Sequence, residues 1–352
     1  MNVLMVGVDA STRGGMWTVV ENYLGDRKFV EENNLIYVPT SIVGNPLKKV
    51  LFMLKGFRQI RRVFRQERVD LVHVHMSERG SVWRKGLVMR YAKKHNARVL
   101  LHMHGAELEV WYRSLDGKKQ QKVRNVVDLA DAVVILGDYW KDFMAELVTD
   151  PEKIRVVHNA VKVPARPLYS RDSRDLLFLG AVSRRKGIYD LLDAMKRISP
   201  ELPGDWKLRI YGPDVIGNVE EEIEKRQLSD RVSYCGWLSA DHREAALSRT
   251  GINLLPSYNE GLPMTILEAM AAGIPTVTTD VAAIPEAVTP DNGVLLKPGD
   301  VEGLGRSILD LCLDSEARSS KSRAARQTAE EKFSLERHLA DIRRIYKELI
   351  PQ

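Results

Sequence analysis

Short apolar runs alternate with longer helical patterns along the whole chain, and this alternation is what most limits the folds open to it. VLMVGV, LIYVP, LVHVHM, RVLLHMHG, AVVILG and IRVVHN in the first half read as strands, as do DLLFLG, KLRIYG, RVSYCG, INLLPS, PTVTT and GVLL in the second. Helical patterns stand between them, near 15–24, 81–95, 117–130 and 139–148 among others. Strands that are apolar throughout are covered on both faces, and a strand-helix alternation calls for a parallel sheet with helices on both sides. At 352 residues the chain exceeds one ordinary core. We therefore expect an α/β protein of two doubly wound, Rossmann-like domains facing across a cleft, 1–164 and 175–334. Between them KVPARPLYSRDSR, rich in proline and charge, reads as a linker, placed at 165–174. The segment 335–352 carries a last helix, near 335–349, expected to pack back toward the N-terminal domain.

The composition, 44% hydrophobic and 28% charged, is that of a soluble protein, and no apolar run is long enough to cross a bilayer. MNVLMVGVDA lacks the features of a signal peptide and reads as a strand, which favours the cytoplasm. Cys235 and Cys312 alone support neither a disulfide framework nor a thiolate zinc site. The charge is uneven: residues 1–164 hold 27 lysines and arginines against 18 acids, while 165–352 hold 26 against 29. Much of the excess lies in 47–68, where eight cations accompany the single acid Glu67. On a helical wheel Leu47, Val50, Leu51, Met53, Leu54, Phe57, Ile60 and Phe64 share one side, with Arg61 inside that sector and Phe52 and Val63 outside it. A solvated helix face is the plain reading of such a segment. Eight cations to one acid go beyond it, and Lys48, Lys49, Lys55, Arg58, Arg61, Arg62 and Arg65 are expected to dock peripherally on an anionic membrane surface, the inner face of the cell membrane. Nucleic acid is not expected, because no aromatic stacking platform accompanies the patch.

The stretch NEGLPMTILEAMAAGIPTV, residues 259–277, carries two glutamates eight positions apart. A strand ends at Asn253-Leu254-Leu255, a loop follows, Pro263 suits the first position of a helix of about ten residues, and Gly273 ends it. The tip of such a helix offers free amides and partial positive charge, an anion site at the carboxyl edge of the sheet. Glu268, among Ile266, Leu267 and Met270, needs a polar partner. One extended molecule with a hydroxylated sugar, a diphosphate and a ribose could touch Glu260, the tip and Glu268 in turn.

PSYNEGLPMTILEAMAAGIPTVTT resembles the E-x7-E signature of family-4 retaining glycosyltransferases with the GT-B fold. The likeness extends along the chain. Gly14-Gly15-Met16 is similar to the family's Gly-Gly loop near the donor phosphates, HMHGAE to its His-Gly motif, and LGAVSRRKGIYDLLDA to the loop with its phosphate-binding basic residues. Asn292 to Asp300 echo the family's Lys-Pro-Gly-Asp ending. The resemblance implies that Glu268 binds the ribose hydroxyls, Glu260 the donor sugar, and the backbone from Gly261 through Leu262 and Pro263 to Met264 lines the diphosphate. It implies that His104 reaches the sugar and that Lys186, with Arg184 or Arg185, meets the phosphates. The chain departs from the family at Ala181, where an arginine is usual, and at Ala282-Ala283, where Gly-Gly is common.

The implied activity is retaining, metal-independent transfer of a sugar from a nucleoside-diphosphate sugar to a glycan or polyprenyl-linked acceptor, in bacterial cell-surface polysaccharide or glycoconjugate synthesis. UDP is the first choice of carrier, with GDP and dTDP as alternatives, and no cofactor is implied. His104, Glu260 and Lys186 are the expected catalytic residues. Two other readings stay open: a nucleotide-sugar 2-epimerase of the same architecture, and a catalytically silent membrane-docking scaffold. Four of the eight histidines lie in HVH and HMHG, where alternation sends His73 and His75 to one face and His102 and His104 to one face. A metal cluster is conceivable there. The pairs fall on different strands with no acid at ligand spacing, so no metal is expected, and His75 and His158 read as local hydrogen-bond partners.

Overall fold

The computed structural model describes residues 1–12 and 14–350. They form two compact units, Met1–Ala160 together with the segment from Leu335, and Val161–Ser334.

The first unit is built on six parallel strands: β1 Val3–Gly7, β2 Ile36–Pro39, β3 Leu71–Met76, β4 Arg98–Met103, β5 Ala132–Ile135 and β6 Ile154–Val156, in the order β2-β1-β3-β4-β5-β6. β1 and β3 are buried at every position, as a sheet covered on both faces requires. The helix Leu335–Leu349 belongs to this unit. Its buried residues His338, Leu339, Ile342, Ile345 and Tyr346 follow helical spacing and face the unit's core. Arg343 on its flank reaches Glu32 at 2.9 Å.

The second unit has six parallel strands as well: β7 Asp175–Leu179, β8 Lys207–Tyr211, β9 Val232–Tyr234, β10 Thr250–Leu255, β11 Thr276–Thr279 and β12 Gly293–Leu296, in the order β12-β11-β10-β7-β8-β9. The chain runs outward from β7 to β9 and then returns to β10 on the other side of β7. Two loops therefore diverge from the carboxyl ends of β7 and β10, which is where open parallel sheets bind ligands.

Two expectations change. The stretch 165–174 is not a free linker: the amides of Leu168 and Tyr169 donate to the Ala272 carbonyl at 2.9 and 3.0 Å, and the Ser173 hydroxyl donates to Ser248 O. A carbonyl left over at the end of the helix Met264–Ala271 takes these donors, and Leu168 and Tyr169 pack on the apolar cluster around Ala269 and Ile274. The second unit accordingly starts at Val161 rather than after residue 174. The pattern at 139–148 resolves into a 3₁₀ turn, Asp138–Trp140, and a short helix, Lys141–Ala145.

Candidate functional site

The loop after β7 and the loop after β10 are fastened to each other. The 3₁₀ turn Arg184–Lys186 ends at Gly187, whose φ of 74° is left-handed. A Cβ there would stand 1.9 Å from the Pro256 carbonyl oxygen, so only glycine lets the two loops approach this closely. The amide of Tyr258 donates to Arg185 O at 2.8 Å, and the Tyr258 hydroxyl donates to Asp190 at 2.7 Å. Glu260, 6% exposed, sits at this junction. Its carboxylate accepts from Ser257 Oγ at 2.8 Å and forms an ion pair with Lys186, and the Arg185 guanidinium stands 3.9 Å away. Arg185 also donates to Asn259 O at 2.6 Å. Arg184 turns elsewhere, its guanidinium 4.5 Å from the centroid of the Tyr189 ring. Of the two arginines near Ala181, Arg185 is the one at the carboxylate.

The helix that begins beside this junction spans Met264–Ala271, eight residues. Pro263 is its N-cap, in extended conformation with ψ at 125°, rather than its first helical residue. Gly273 follows with φ at 78°, and Ile274 N closes the end onto Ala269 O. At the other end the amides of Gly261, Met264 and Thr265 have no hydrogen-bond partner among the described residues. The Thr265 hydroxyl is buried and partnerless too. Thr265 escaped the sequence reading; a hydroxyl-bearing residue directly after Pro263-Met264, at the start of the helix, was the signal available. Glu268 has its polar partner: Arg243, from the helix Ala240–Arg249, donates to Oε1 at 2.7 Å. Glu268 Oε2 is buried without a partner among the described residues. Burial pushes the Glu268 carboxyl above the usual carboxylate range, against the opposing pull of Arg243. Arg243 was also missed, because α-helical arginines are common and nothing in sequence ties position 243 to 268.

In the first unit Gly14 caps the helix Gly15–Gly25 with φ at 152°, and a Cβ on it would meet nothing within 4 Å. Gly14 and Gly15 are both exposed, so the loop after β1 has open space before it. The histidines of HVH and HMHG, far apart in sequence, stand on neighbouring strands with His75 opposite His102. His73, His75 and His102 are fully buried and His104 is half-buried. His104 Nε2 meets His75 Nδ1 at 2.9 Å, His73 Nε2 meets His102 Nδ1 at 3.3 Å, and His73 Nδ1 meets the Tyr346 hydroxyl at 2.7 Å. His338 joins them, with Nε2 2.5 Å from the Tyr23 hydroxyl and Nδ1 2.8 Å from His158 O. His158 thus contributes its backbone carbonyl. Burial, then the neighbouring imidazoles, holds His73, His75 and His102 well below the usual histidine range; burial and His338 bring His104 to about 3. Nitrogens of His73, His75 and His102 lie within 4.8 Å of one another, a spacing a metal ion could span. The charged neighbours of these rings are other imidazoles and Lys85, with no carboxylate among them to balance a dication. Lys85 itself is buried, donating to Gly7 O at 2.9 Å and Thr40 Oγ1 at 2.6 Å.

The basic segment is a helix, Pro46–Gln66, started by Asn45, whose side chain accepts from the Lys48 amide. Lys48, Lys49, Lys55, Arg58, Arg61, Arg62 and Arg65 are all exposed. The apolar sector differs from the wheel. Val63 is buried together with Gly56 and Ile60, while Arg61 is exposed and Leu47, Val50, Leu51 and Leu54 face solvent. The second half of the helix lies on the unit, with Phe57 and Phe64 against Tyr91, and the first half does not. No helix among the described residues is long and apolar enough to cross a membrane.

Comparison with known proteins agrees with this geometry. Residues 16–163 match the family model described as Glycosyltransferase Family 4, and residues 164–328 match Glycosyl transferases group 1. An uncharacterized glycosyltransferase of Methanocaldococcus jannaschii is 27% identical over 99% of each chain. The fold is shared with sucrose-phosphate synthase from Thermosynechococcus elongatus, at a TM-score of 0.80 and 18% identity over 99% of both chains. It is shared also with Anabaena HepE, solved in complex with UDP-glucose, at a TM-score of 0.75 and 14% identity over 99% of this chain and all of the other. With both halves matched by glycosyltransferase models and two six-stranded parallel sheets, the chain belongs to the family-4-type glycosyltransferases and has the GT-B fold.

Proposed function

We propose that this enzyme transfers a sugar, with retention and without a metal, from a nucleoside-diphosphate sugar to a glycan or polyprenyl-linked acceptor, in the synthesis of a bacterial cell-surface polysaccharide or glycoconjugate. One observation carries the reading: a helix tip with partnerless amides and a partnerless hydroxyl lies between the Glu260–Lys186 pair and a glutamate with one free, buried oxygen. Buried donors without acceptors are costly, and an anionic ligand relieves them. The diphosphate therefore takes the amides of Gly261, Met264 and Thr265 and the Thr265 hydroxyl. Glu268 Oε2 takes the ribose hydroxyls while Arg243 holds Oε1. Lys186 and Arg185, already beside Glu260, stabilise the charge that grows on the leaving phosphate. Glu260 orients the sugar rather than attacking it, because it is tied to Ser257 and Lys186. Attack then comes from the same face as departure, with the leaving phosphate taking the acceptor proton. His104 hydrogen-bonds the sugar, and Gly14 and Gly15 let backbone approach the phosphates. HepE, of similar fold, was solved with UDP-glucose, which supports UDP as the carrier.

The exposed leucines and cations of Pro46–Gln66 support a second element of the proposal, peripheral docking on an anionic membrane from the cytoplasmic side.

Calorimetry with UDP on Glu268→Ala tests the site. An affinity loss of about tenfold or more is expected from removing a carboxylate-hydroxyl contact, and unchanged affinity refutes the ribose assignment. The anomeric signal of the product by NMR, with and without EDTA, tests retention and metal independence. An inverted product, or activity lost to EDTA and restored by a divalent ion, overturns that part. Interconversion of donor isomers without transfer would indicate the epimerase.

A further inference from the structure

The histidine array on β3 and β4 contains two nitrogens left over: His75 Nε2 and His102 Nε2 are buried and have no hydrogen-bond partner among the described residues. A neutral imidazole carries its proton on one nitrogen and a lone pair on the other. A sealed N–H without an acceptor is the rarer and costlier orphan, so each partnerless nitrogen is the bare one. The proton of each ring then sits on Nδ1, and the direction of every bond in the array follows. His102 Nδ1–H donates to His73 Nε2, and His73 Nδ1–H donates to the Tyr346 hydroxyl. Independently, His75 Nδ1–H donates to His104 Nε2 across 2.9 Å. His104 Nε2 is thereby the acceptor, and its proton must lie on Nδ1, the nitrogen with no partner among the described residues.

We propose that His75 is a positioning residue that locks His104 in the Nδ1–H tautomer, so that His104 meets the transferred sugar as a hydrogen-bond donor. The inference rests on the reading that His104 contacts the donor sugar, and it adds what that contact is. The isolated side chain prefers the opposite tautomer, with the proton on Nε2, so the arrangement is imposed by the array. It selects an oxygen acceptor on the ligand, a sugar hydroxyl presenting its lone pair. It also removes His104 as a base: the ring's only lone pair is occupied by His75, and the ring cannot accept the acceptor's proton. Proton removal is left to the departing phosphate.

Long-range proton-nitrogen NMR on the full chain, labelled with ¹⁵N-histidine and free of donor, reads the tautomer directly, with His104→Gln identifying the signals. The expected pattern is Nδ1–H for His104, and Nε2–H overturns the proposal whatever the enzyme turns out to transfer. Two variants at position 75 supply the kinetic test. In His75→Asn the amide nitrogen stands where Nδ1 stood and can still donate to His104; in His75→Leu nothing can, and the partnerless nitrogen is gone too. We expect His75→Leu to lower kcat about tenfold with KM little changed, and His75→Asn to restore most of it, with thermal melting recorded for both. Equal loss in the two variants, or loss that follows the melting temperature, overturns the positioning role. An unchanged rate in His104→Ala, with the Nδ1–H pattern intact in the wild type, would refute the sugar contact and leave the tautomer assignment standing.

Discussion

At the scale of the residue, the candidate site could be read where chemistry and spacing coincide and stayed hidden where they do not. Glu260, Glu268 and Lys186 stand in a pattern with few structural readings. Thr265 and Arg243 stand in ordinary helical contexts, and only the coordinates reveal one hydroxyl without a partner and one guanidinium on a buried carboxylate. Replacing Thr265 with valine keeps the shape and removes the hydroxyl. Nucleotide affinity is expected to fall about fivefold by calorimetry while stability holds or rises, since an unsatisfied polar group leaves the interior. Ala282, which departs from the family's Gly-Gly, has φ at 48°. A Cβ in that region costs on the order of 1 kcal/mol, so Ala282→Gly is expected to stabilise the protein by up to about that amount in urea unfolding. Gly187→Ala should do the reverse and loosen the loop pair as well, through collision with the Pro256 carbonyl.

At the scale of the element, the twelve strands of the described residues could be read from short apolar runs bounded by turn residues, edge strands such as the half-buried Ile154–Val156 included. The basic helix was harder. Its wheel gave a single apolar sector, whereas Pro46–Gln66 uses two: one buried around Ile60 and Val63, and one exposed around Leu47, Val50, Leu51 and Leu54. Periodicity reports that a side chain is apolar, not whether a neighbour covers it. The exposed half predicts that exchanging Leu47, Leu51 and Leu54 for serine, or reversing the charge of Arg58, Arg61 and Arg62, abolishes sedimentation with anionic vesicles. Each cation near such a surface contributes on the order of 1 kcal/mol. Neutral vesicles serve as the control, and equal binding to them would assign the attraction to apolar burial alone.

At the scale of the whole molecule, stability is tied to pH through the array of imidazoles. His73, His75, His102, His104 and His338 face one another, the hydroxyls of Tyr23 and Tyr346, and Lys85, and burial lowers all five below the usual value of about 6.5, against an opposing pull on His338 from the His158 carbonyl and Asp341. The unfolded chain therefore takes up protons first as the pH drops. The stability these neutral rings provide is present above about pH 6.5 and is lost progressively below it, down to the values of about 4 for His338 and about 3 for His104. Each ring adds a slope of about 1.4 kcal/mol per pH unit in that window. Urea unfolding at pH 7.5 and 5.5 should differ by several kcal/mol by this linkage, and a flat profile would contradict the buried neutral state. The division into two units was visible in the sequence, but its boundary was not. Proline and charge at 165–174 look the same whether the backbone is loose or, as here, seated on the Ala272 carbonyl.

The first unit is completed by a helix that the ribosome makes only after the entire second unit, since Leu335–Leu349 supplies His338 and Tyr346 to an interior begun with Val3. Until those residues emerge, the nascent sheet carries uncovered imidazoles and tyrosines. The portion translated first is therefore the last to be finished, and a stalled or clipped product would lose the older unit before the younger one.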